Sequence, residues 1–327
     1  MKTIKTLLAT IALLLCSETM NAHDFEVDGI YYNILSENNK TVEVTFKGDT
    51  YSSNTNEYTG SVTIPQKVDY EGNEYTVTEI GEEAFRGCFK LLSVNIPNGV
   101  VTIGRVAFGE CQKLTSVAIP EGVTSIGNSA FSGCTKLTSV AIPGGVTSIG
   151  AWAFTDCTSL TSVVIPEGVT NISRSAFYGC TSLTSVAIPE SVIAIGALAF
   201  YDCTSLTSVV IPEGVTRIGD SAFHDCTSLI SVKSLSSEEP QIDTTTFHLT
   251  FGNISKNAIL YIPEGSSYPN WEPYFSKVEY LTEEEITGIE DVMPEVRKSV
   301  IYDINGLRVK DPVKGGIYII DGEKVKL

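Results

Sequence analysis

Seven cysteines, Cys88, Cys111, Cys134, Cys157, Cys180, Cys203 and Cys226, recur at a constant step of 23 residues. Thiols can form disulfides, bind metals or act as nucleophiles, and each chemistry asks for its own spacing. A disulfide needs two Cβ atoms turned toward each other. Side chains projected in parallel from successive turns of an array keep their vectors aligned, and an odd number leaves one unpaired. A zinc site wants short loop spacings such as C-x2-C, which a 23-residue step does not supply. What remains is cysteine as a small hydrophobe, so the column reads as a buried, unbridged ladder.

Other chemistry is equally sparse. The histidines are His23, His224 and His248, with no G-x-S-x-G, H-E-x-x-H or phosphate-binding loop beside them. Glu110, Asp156, Asp202 and Asp225 share one column, and Glu121, Glu167, Glu190 and Glu213 another. Calcium takes several carboxylates at once, whereas each column offers one per repeat, the pattern of a solvated acidic edge. No catalytic constellation, metal site or cofactor is expected. One column does suggest recognition. Tyr178, Tyr201 and His224 follow three successive phenylalanines. An aromatic strip with polar tips suits contact with a protein or a sugar, and ordinary edge packing is the alternative.

The element that carries these columns is the repeat. Aligned, it reads L-T-S-V-x-I-P-E-G-V-T-S-I-G-x-x-A-F-x-x-C-T-S, with Phe85 to Phe223, Leu91 to Leu229 and Ile96-Pro97 to Ile211-Pro212 all in step. A fixed period in this range means stacked units that bury one continuous core. L-T-S-V-x-I is a short β-branched strand. Proline ends it, I-P-E-G makes a turn, V-T-S-I is a second strand, and x-x-A-F-x-x-C is a helical turn. Parallel strands stack at about 4.8 Å, so seven coils give a rod of about 34 Å. Each large apolar side chain fully buried contributes roughly 1.5–3 kcal/mol.

The I-P-E-G-V-T-S-I-G-x-x-A-F-x-x-C units from Ile80 to Cys226 resemble the BspA-like, or Treponema-type, leucine-rich repeats of bacterial surface proteins. The resemblance implies an α/β repeat solenoid, a leucine-rich-repeat-like parallel β-stack with short helical turns, and a non-enzymatic role in adhesion to host proteins or other cells. An envelope scaffold, or a glycan-binding accessory protein, are the alternatives. Departures from the pattern are few: Ser173 and Ser191 stand in two glycine columns, and Gly144 replaces Glu. Those glycines therefore do not strictly demand a positive φ, or each exception is strained. Residues 158–170 and 204–216 are identical, and Gly133, Asp156, Gly179 and Asp202 alternate, as if a two-coil unit had been duplicated.

The flanks divide the chain further. Residues 1–22 read as a secretory signal: Lys2 and Lys5, an apolar run from Leu7 to Cys16, and cleavage after Ala22. Acylation at Cys16 is a second reading. Residues 23–79 form a β-rich cap with hairpins around Asn38-Asn39 and Gly72-Asn73, the second an insertion from Asp69 to Thr78. The solenoid spans 80–232. Residues 233–282 hold one degenerate coil, in which Thr246-Phe247 echoes A-F, and a cap where Trp271, Tyr274 and Phe275 fold over the last coil. Residues 283–327 are an acidic linker and a small β tail with turns at Asn305-Gly306, Gly315-Gly316 and Asp321-Gly322; it resembles the sorting tails of secreted Bacteroidetes proteins, which implies anchoring or export. Asp220-Ser221-Ala222 and Asp243-Thr244-Thr245 resemble O-glycosylation acceptors of the same group.

Composition narrows the partners. With 22 Lys and Arg against 39 Asp and Glu, the net charge is −17. Nucleic acid needs clustered cations, so host or bacterial surface proteins are expected instead, with glycans less favoured. No segment after the leader is long and apolar enough for a transmembrane helix. The smooth strand face of Thr115, Ser116 and Ala118 suits protein contact more than a deep pocket.

Overall fold

The computed structural model describes residues 23–47, 57–242 and 249–286, and beyond them four strands between 301 and 326. The expected leader with Cys16, the Asp243-Thr244-Thr245 and Thr246-Phe247 motifs, and the turns at Asn305-Gly306, Gly315-Gly316 and Asp321-Gly322 lie outside the described residues. The strands are β1 (Phe25–Val27), β2 (Ile30–Ser36), β3 (Thr41–Thr45), β4 (Gly60–Thr63), β5 (Lys67–Tyr70), β6 (Asn73–Ile80), β7 (Leu91–Asn95) and β8 (Thr102–Ile103). From there each repeat adds one strand to each of two walls. The main wall receives T-S-V-x-I and the second wall V-T-S-I. These are β9 (Ser116–Ala118), β10 (Ser125–Ile126), β11 (Ser139–Ala141), β12 (Ser148–Ile149), β13 (Ser162–Val164), β14 (Asn171–Ile172), β15 (Ser185–Ala187), β16 (Ala194–Ile195), β17 (Ser208–Ile211) and β18 (Arg217–Ile218). The array ends with β19 (Ser231–Ser234), β20 (Gln241–Ile242), β21 (Ile259–Pro263) and β22 (Lys277–Leu281). Pairing is parallel with a one-coil step: Ser93, Ser116 and Ser139 are successive partners, as are Thr102, Ser125 and Ser148. The 23-residue solenoid is thus the fold.

The third wall is where A-F-x-x-C lies. Its helical turn takes the form of linked i→i+3 turns: Ala84 N–H bonds Gly81 O, Arg86 bonds Glu83 and Cys88 bonds Phe85. The N–H groups between these point along the stack, Glu83 to Arg105 O, Phe85 to Ala107 O and Gly87 to Gly109 O. Alternation of this kind requires left-handed residues, and each coil has two. One column runs Glu83, Val106, Ser129, Trp152, Ser175, Leu198 and Ser221, at φ 53–59°. The other runs Gly87, Glu110, Gly133, Asp156, Gly179, Asp202 and Asp225, at φ 56–73°. Glycine and Asp tolerate this region best, which is why they alternate in the second column.

Phenylalanine rings run through the centre. From Phe85 to Phe223 they stack at 5.0–5.4 Å with planes within 11°. The stack continues to Phe251 at 5.5 Å. Phe251, not Phe247, therefore holds the ladder position, with Thr250 accepting from Phe223 N–H. The step there is 28 residues, five more than the period, which puts the A-F echo off register. Tilted rings close both ends. Tyr58 sits 4.5 Å from Phe85, and Trp271, Tyr274 and Phe275 lie 5.0–6.0 Å from Phe251.

Before the array, β1, β2 and β3 pair antiparallel and extend the second wall through β6. The hairpin expected as an insertion is real, as β5 pairs β6 antiparallel. Its second strand is no insertion, because β6 also pairs β8 in parallel as the first strand of the second wall. After the array, the acidic linker opens with a helical turn at 283–286. Thr282 and Glu285 cap it reciprocally: Thr282 N–H donates to Glu285 Oε2 at 2.8 Å and Glu285 N–H to Thr282 Oγ1 at 3.3 Å. Beyond it β23 (Ile301–Asp303), β24 (Arg308–Val309), β25 (Ile317–Ile320) and β26 (Glu323–Lys326) form a separate antiparallel sheet.

The glycine columns are explained by close approach. Gly104, Gly127, Gly150, Gly196 and Gly219 have ordinary φ, but a Cβ at Gly127 would lie 2.6 Å from the carbonyl carbon of Gly104. At all five positions, N–H donates to an Ile carbonyl one coil back at 2.7–2.8 Å, as in Gly150 to Ile126 and Gly196 to Ile172. At Ser173 the side chain intervenes, its hydroxyl donating to Ile149 O at 2.6 Å. Here the second wall parts: β12 and β14 belong to different sheets. The main wall parts beside it, between β11 and β13, and again between β15 and β17. Single backbone bonds still cross the two main-wall breaks, Thr161 N–H to Thr138 O and Thr207 N–H to Thr184 O, while the third wall keeps its full pattern, with Trp152 N–H to Arg174 O and Phe154 N–H to Ala176 O. Ser173→Gly is expected to rejoin β12 to β14 and raise unfolding stability by about 1 kcal/mol, the net value of a restored hydrogen bond. Hydrogen exchange at residues 170–173 would slow. Unchanged exchange there would mean that another residue causes the break.

Candidate functional site

The aromatic strip grows from the third wall. Each member follows a ladder phenylalanine, so ring after ring is set one coil apart. Tyr178 and Tyr201 stack at 5.0 Å and 4°, Tyr201 and His224 at 5.3 Å and 3°. All three are half-buried. Because they stack on one another, their faces are largely covered. Gly252 closes the far side of His224, where even a Cβ would come within 2.7 Å of Nε2. The strip offers ring edges, phenolic oxygens, and the one face of Tyr178 turned toward Thr155.

Asp225 fixes the end of the strip. Its Oδ1 accepts from Asn253 Nδ2 at 2.6 Å, it accepts the Tyr201 hydroxyl, and its Oδ2 lies 3.1 Å from His224 Nδ1. The Asn253 bond, helped by Tyr201 and His224, holds its carboxyl below the usual range against the pull of burial. The hydrogen bond from Tyr201 to Asp225, with burial, pushes the Tyr201 phenol up to about 12. Further along the column, Asp156 and Asp202 are raised, first by burial and then by Asp202 and Asp225 respectively. Glu110 is met by Arg86 at 3.5 Å. Among the described residues no three His, Cys, Asp or Glu converge as metal ligands.

The cysteines are buried and unbridged. From Cys111 to Cys226 each Sγ donates to the carbonyl of the phenylalanine 26 residues earlier, at 3.0–3.3 Å. Burial pushes the thiols from Cys111 to Cys226 far up, Cys134 and Cys226 to about 12. Thiolate is the nucleophile and the metal ligand, so these groups are inert in the folded chain. Alkylation of the native protein from His23 onward is expected to label none of the seven, and alkylation in denaturant all of them, counted by mass. Rapid native labelling of any one would contradict the ladder.

Two other surfaces differ from expectation. Thr115 is exposed and Ala118 half-exposed, but Ser116, expected at the surface, is 4% exposed, with Ser139 and Ser162 alike. Further along the same column Ser185 and Ser208 are exposed, as expected. In the Asp220-Ser221-Ala222 motif, Ser221 is buried and its hydroxyl donates to Asp220 Oδ1 at 2.8 Å, out of reach of a glycosyl transferase once folded.

The repeat model for the BspA type leucine rich repeat region matches residues 61–180 and 147–260, in six copies. The chain belongs to this family. The chain is also similar to several solved structures. A leucine-rich repeat protein from Bacteroides ovatus ATCC 8483 is 28% identical, covering 79% of this chain and 77% of that one, with a TM-score of 0.42. A leucine rich cell surface protein from Faecalibacterium prausnitzii A2-165 is 24% identical over 82% and 97%, at 0.45. The T. pallidum leucine rich repeat protein is 23% identical over 79% and 99%, at 0.46. No match is found among curated proteins. BspA type repeats are generally non-enzymatic scaffolds that bind proteins, and typically surface proteins. No helix among the described residues is long and apolar enough to cross a membrane.

Proposed function

We propose that this chain is a secreted or surface-displayed adhesin that binds proteins of a host or of neighbouring cells, with Tyr178, Tyr201 and His224 as part of the contact. The observation that carries the reading is the strip itself. Three stacked rings stand half-exposed on the third wall of an array whose main wall presents mostly Thr, Ser and Ala between Leu92 and Ile230. Their edges and hydroxyls suit a protein surface. A sugar stacks on ring faces, and here the faces are covered, so the glycan reading is the weaker. The leader at 1–22 and the antiparallel sheet of β23–β26 fit export and anchoring.

Binding to immobilised matrix and cell-surface proteins tests the contact. Tyr178→Ala with Tyr201→Ala is expected to weaken it at least tenfold, the loss typical of interface aromatics. Full retention would remove the strip from the interface. Protease shaving of intact producing cells tests location. Digestion without lysis keeps adhesion. Protection until the outer membrane is opened would replace it with an envelope scaffold.

A further inference from the structure

Charge is not spread evenly along the corner where the third wall meets the main wall. The second residue after each cysteine lies on this corner. It is Lys90, Lys113 and Lys136 in the first three coils, all exposed, and Ser159, Ser182, Ser205 and Ser228 in the next four. The residue before each cysteine lies on the same corner. It is Gly87, Glu110 and Gly133 first, with Glu110 engaged by Arg86, and then Asp156, Gly179, Asp202 and Asp225. The corner is thus basic over three coils and acidic over four.

Apart from Asp225, which Asn253, Tyr201 and His224 hold, and Glu110, which Arg86 meets, neither half is neutralised within the chain. Other cations of the described residues do find carboxylates: Lys40 pairs with Glu37, Lys67 with Glu74, Arg105 with Glu82 and Lys277 with Glu279. Lys90, Lys113 and Lys136 take part in none of the ion pairs of the described residues, nor do Asp156 and Asp202. Like charges held one coil apart repel, so each half gains from a partner of opposite sign.

A third observation lies at the centre. Trp152 is 41% exposed and occupies a left-handed position at φ 57°, where the coils on either side carry Ser129 and Ser175. It belongs to the fourth coil, counting from that of Phe85. Lys113 lies two coils before it and Asp202 two coils after. Lys90 lies three before and Asp225 three after.

We propose that the third wall, when free of the protein contact proposed above, is a self-complementary surface on which a second copy of this chain docks antiparallel, the two partners competing for it. The two-fold axis crosses the wall at the fourth coil. It sets Trp152 and Asp156 against the same residues of the other copy, Lys113 against Asp202 and Lys90 against Asp225, each of these two ion pairs made twice, while Lys136 faces Gly179. An isologous contact of this form closes on itself, with an aromatic anchor at its centre and charge at its rim.

The test is sedimentation equilibrium of the secreted chain at rising salt. A dimer is expected at low salt, weakened about tenfold between 0.05 and 0.5 M as exposed charges are screened. Trp152→Ser, which installs the residue of the adjacent coils, is expected to weaken it about tenfold or more. Lys90→Glu with Lys113→Glu is expected to abolish self-association, and so is Asp202→Lys with Asp225→Lys. Mixed one to one, these two variants are expected to pair with each other. Asp202→Asn, which keeps the left-handed preference, with thermal melts of every variant, separates lost pairing from lost folding. A monomer at all concentrations and salts would overturn the proposal. So would a dimer indifferent to the reversals, or the lysine variant alone losing association, which would assign the lysines to a different acidic surface.

Discussion

Phe154→Ala is expected to lower the stability of the array by about 3–5 kcal/mol, the usual cost of emptying a buried aromatic site. Phe154 is fully buried and stacks on Phe131 at 5.3 Å and Phe177 at 5.4 Å. Its removal leaves a gap that two neighbours line and that neither can fill, because both rings are held by the next pair along. Each coil touches only its neighbours, so the damage is local along the axis. Hydrogen exchange is expected to rise most over residues 131–177 and least near Phe85. The urea midpoint gives the size of the loss. A shift worth less than about 1 kcal/mol would mean that the ladder fills space without holding the coils together.

Trp271→Ala is expected to cost a similar amount, about 3–5 kcal/mol, but to fail differently. Trp271 is fully buried, stands 5.0 Å from Phe251, and donates Nε1–H to Pro240 O at 3.0 Å. Glu239 anchors the same segment, accepting from the N–H groups of Asn270 and Trp271 at 2.7 and 3.1 Å. Without the indole, Pro240 O loses its partner and the open face of Phe251 meets water. Fraying then starts at β21 and β22 and moves inward. An uncovered core end is also an apolar patch, so light scattering is expected to rise at concentrations where the wild-type chain stays clear. Global unfolding with no early loss at β21 and β22 would show that the aromatic cover does not act as a terminal cap.

Much of this was legible because the repeat writes each structural role as a column. A Phe, Cys or Leu that recurs at one spacing can only be a ladder, and the aromatic cluster at Trp271, Tyr274 and Phe275 stands out after such an array. The Tyr178, Tyr201 and His224 spacing also placed them correctly, one coil apart. Their mutual stacking, which covers the faces, depends on side-chain angle and left no mark in the spacing. The left-handed column of Glu83, Val106 and Trp152 was illegible for the opposite reason. It holds residues with no shared preference, one of them β-branched, since the alternating hydrogen bonds of the third wall impose the conformation. Phe251 was missed because five inserted residues broke the count while Thr246-Phe247 imitated the motif. Ser173 was visible as an exception. Its effect was not, since a Cβ matters there only because the coils approach to within about a van der Waals contact.

The unbroken third wall gives the molecule a mechanical character. Between β12 and β14 the second wall is joined by the Ser173 hydroxyl, and between β11 and β13 the main wall has no ladder. Hydrogen-bonded continuity at that level passes mainly through the turns from Ser129 to Tyr178 and the rings behind them, with Thr161 N–H to Thr138 O at 3.2 Å as the one backbone bond left beside the main wall. Under a sideways load the solenoid would flex there as a book opens about its spine, the phenylalanine stack acting as the binding. A rod tethered at one end and held by a ligand at the other would yield first at that level, while the coils on either side kept their shape.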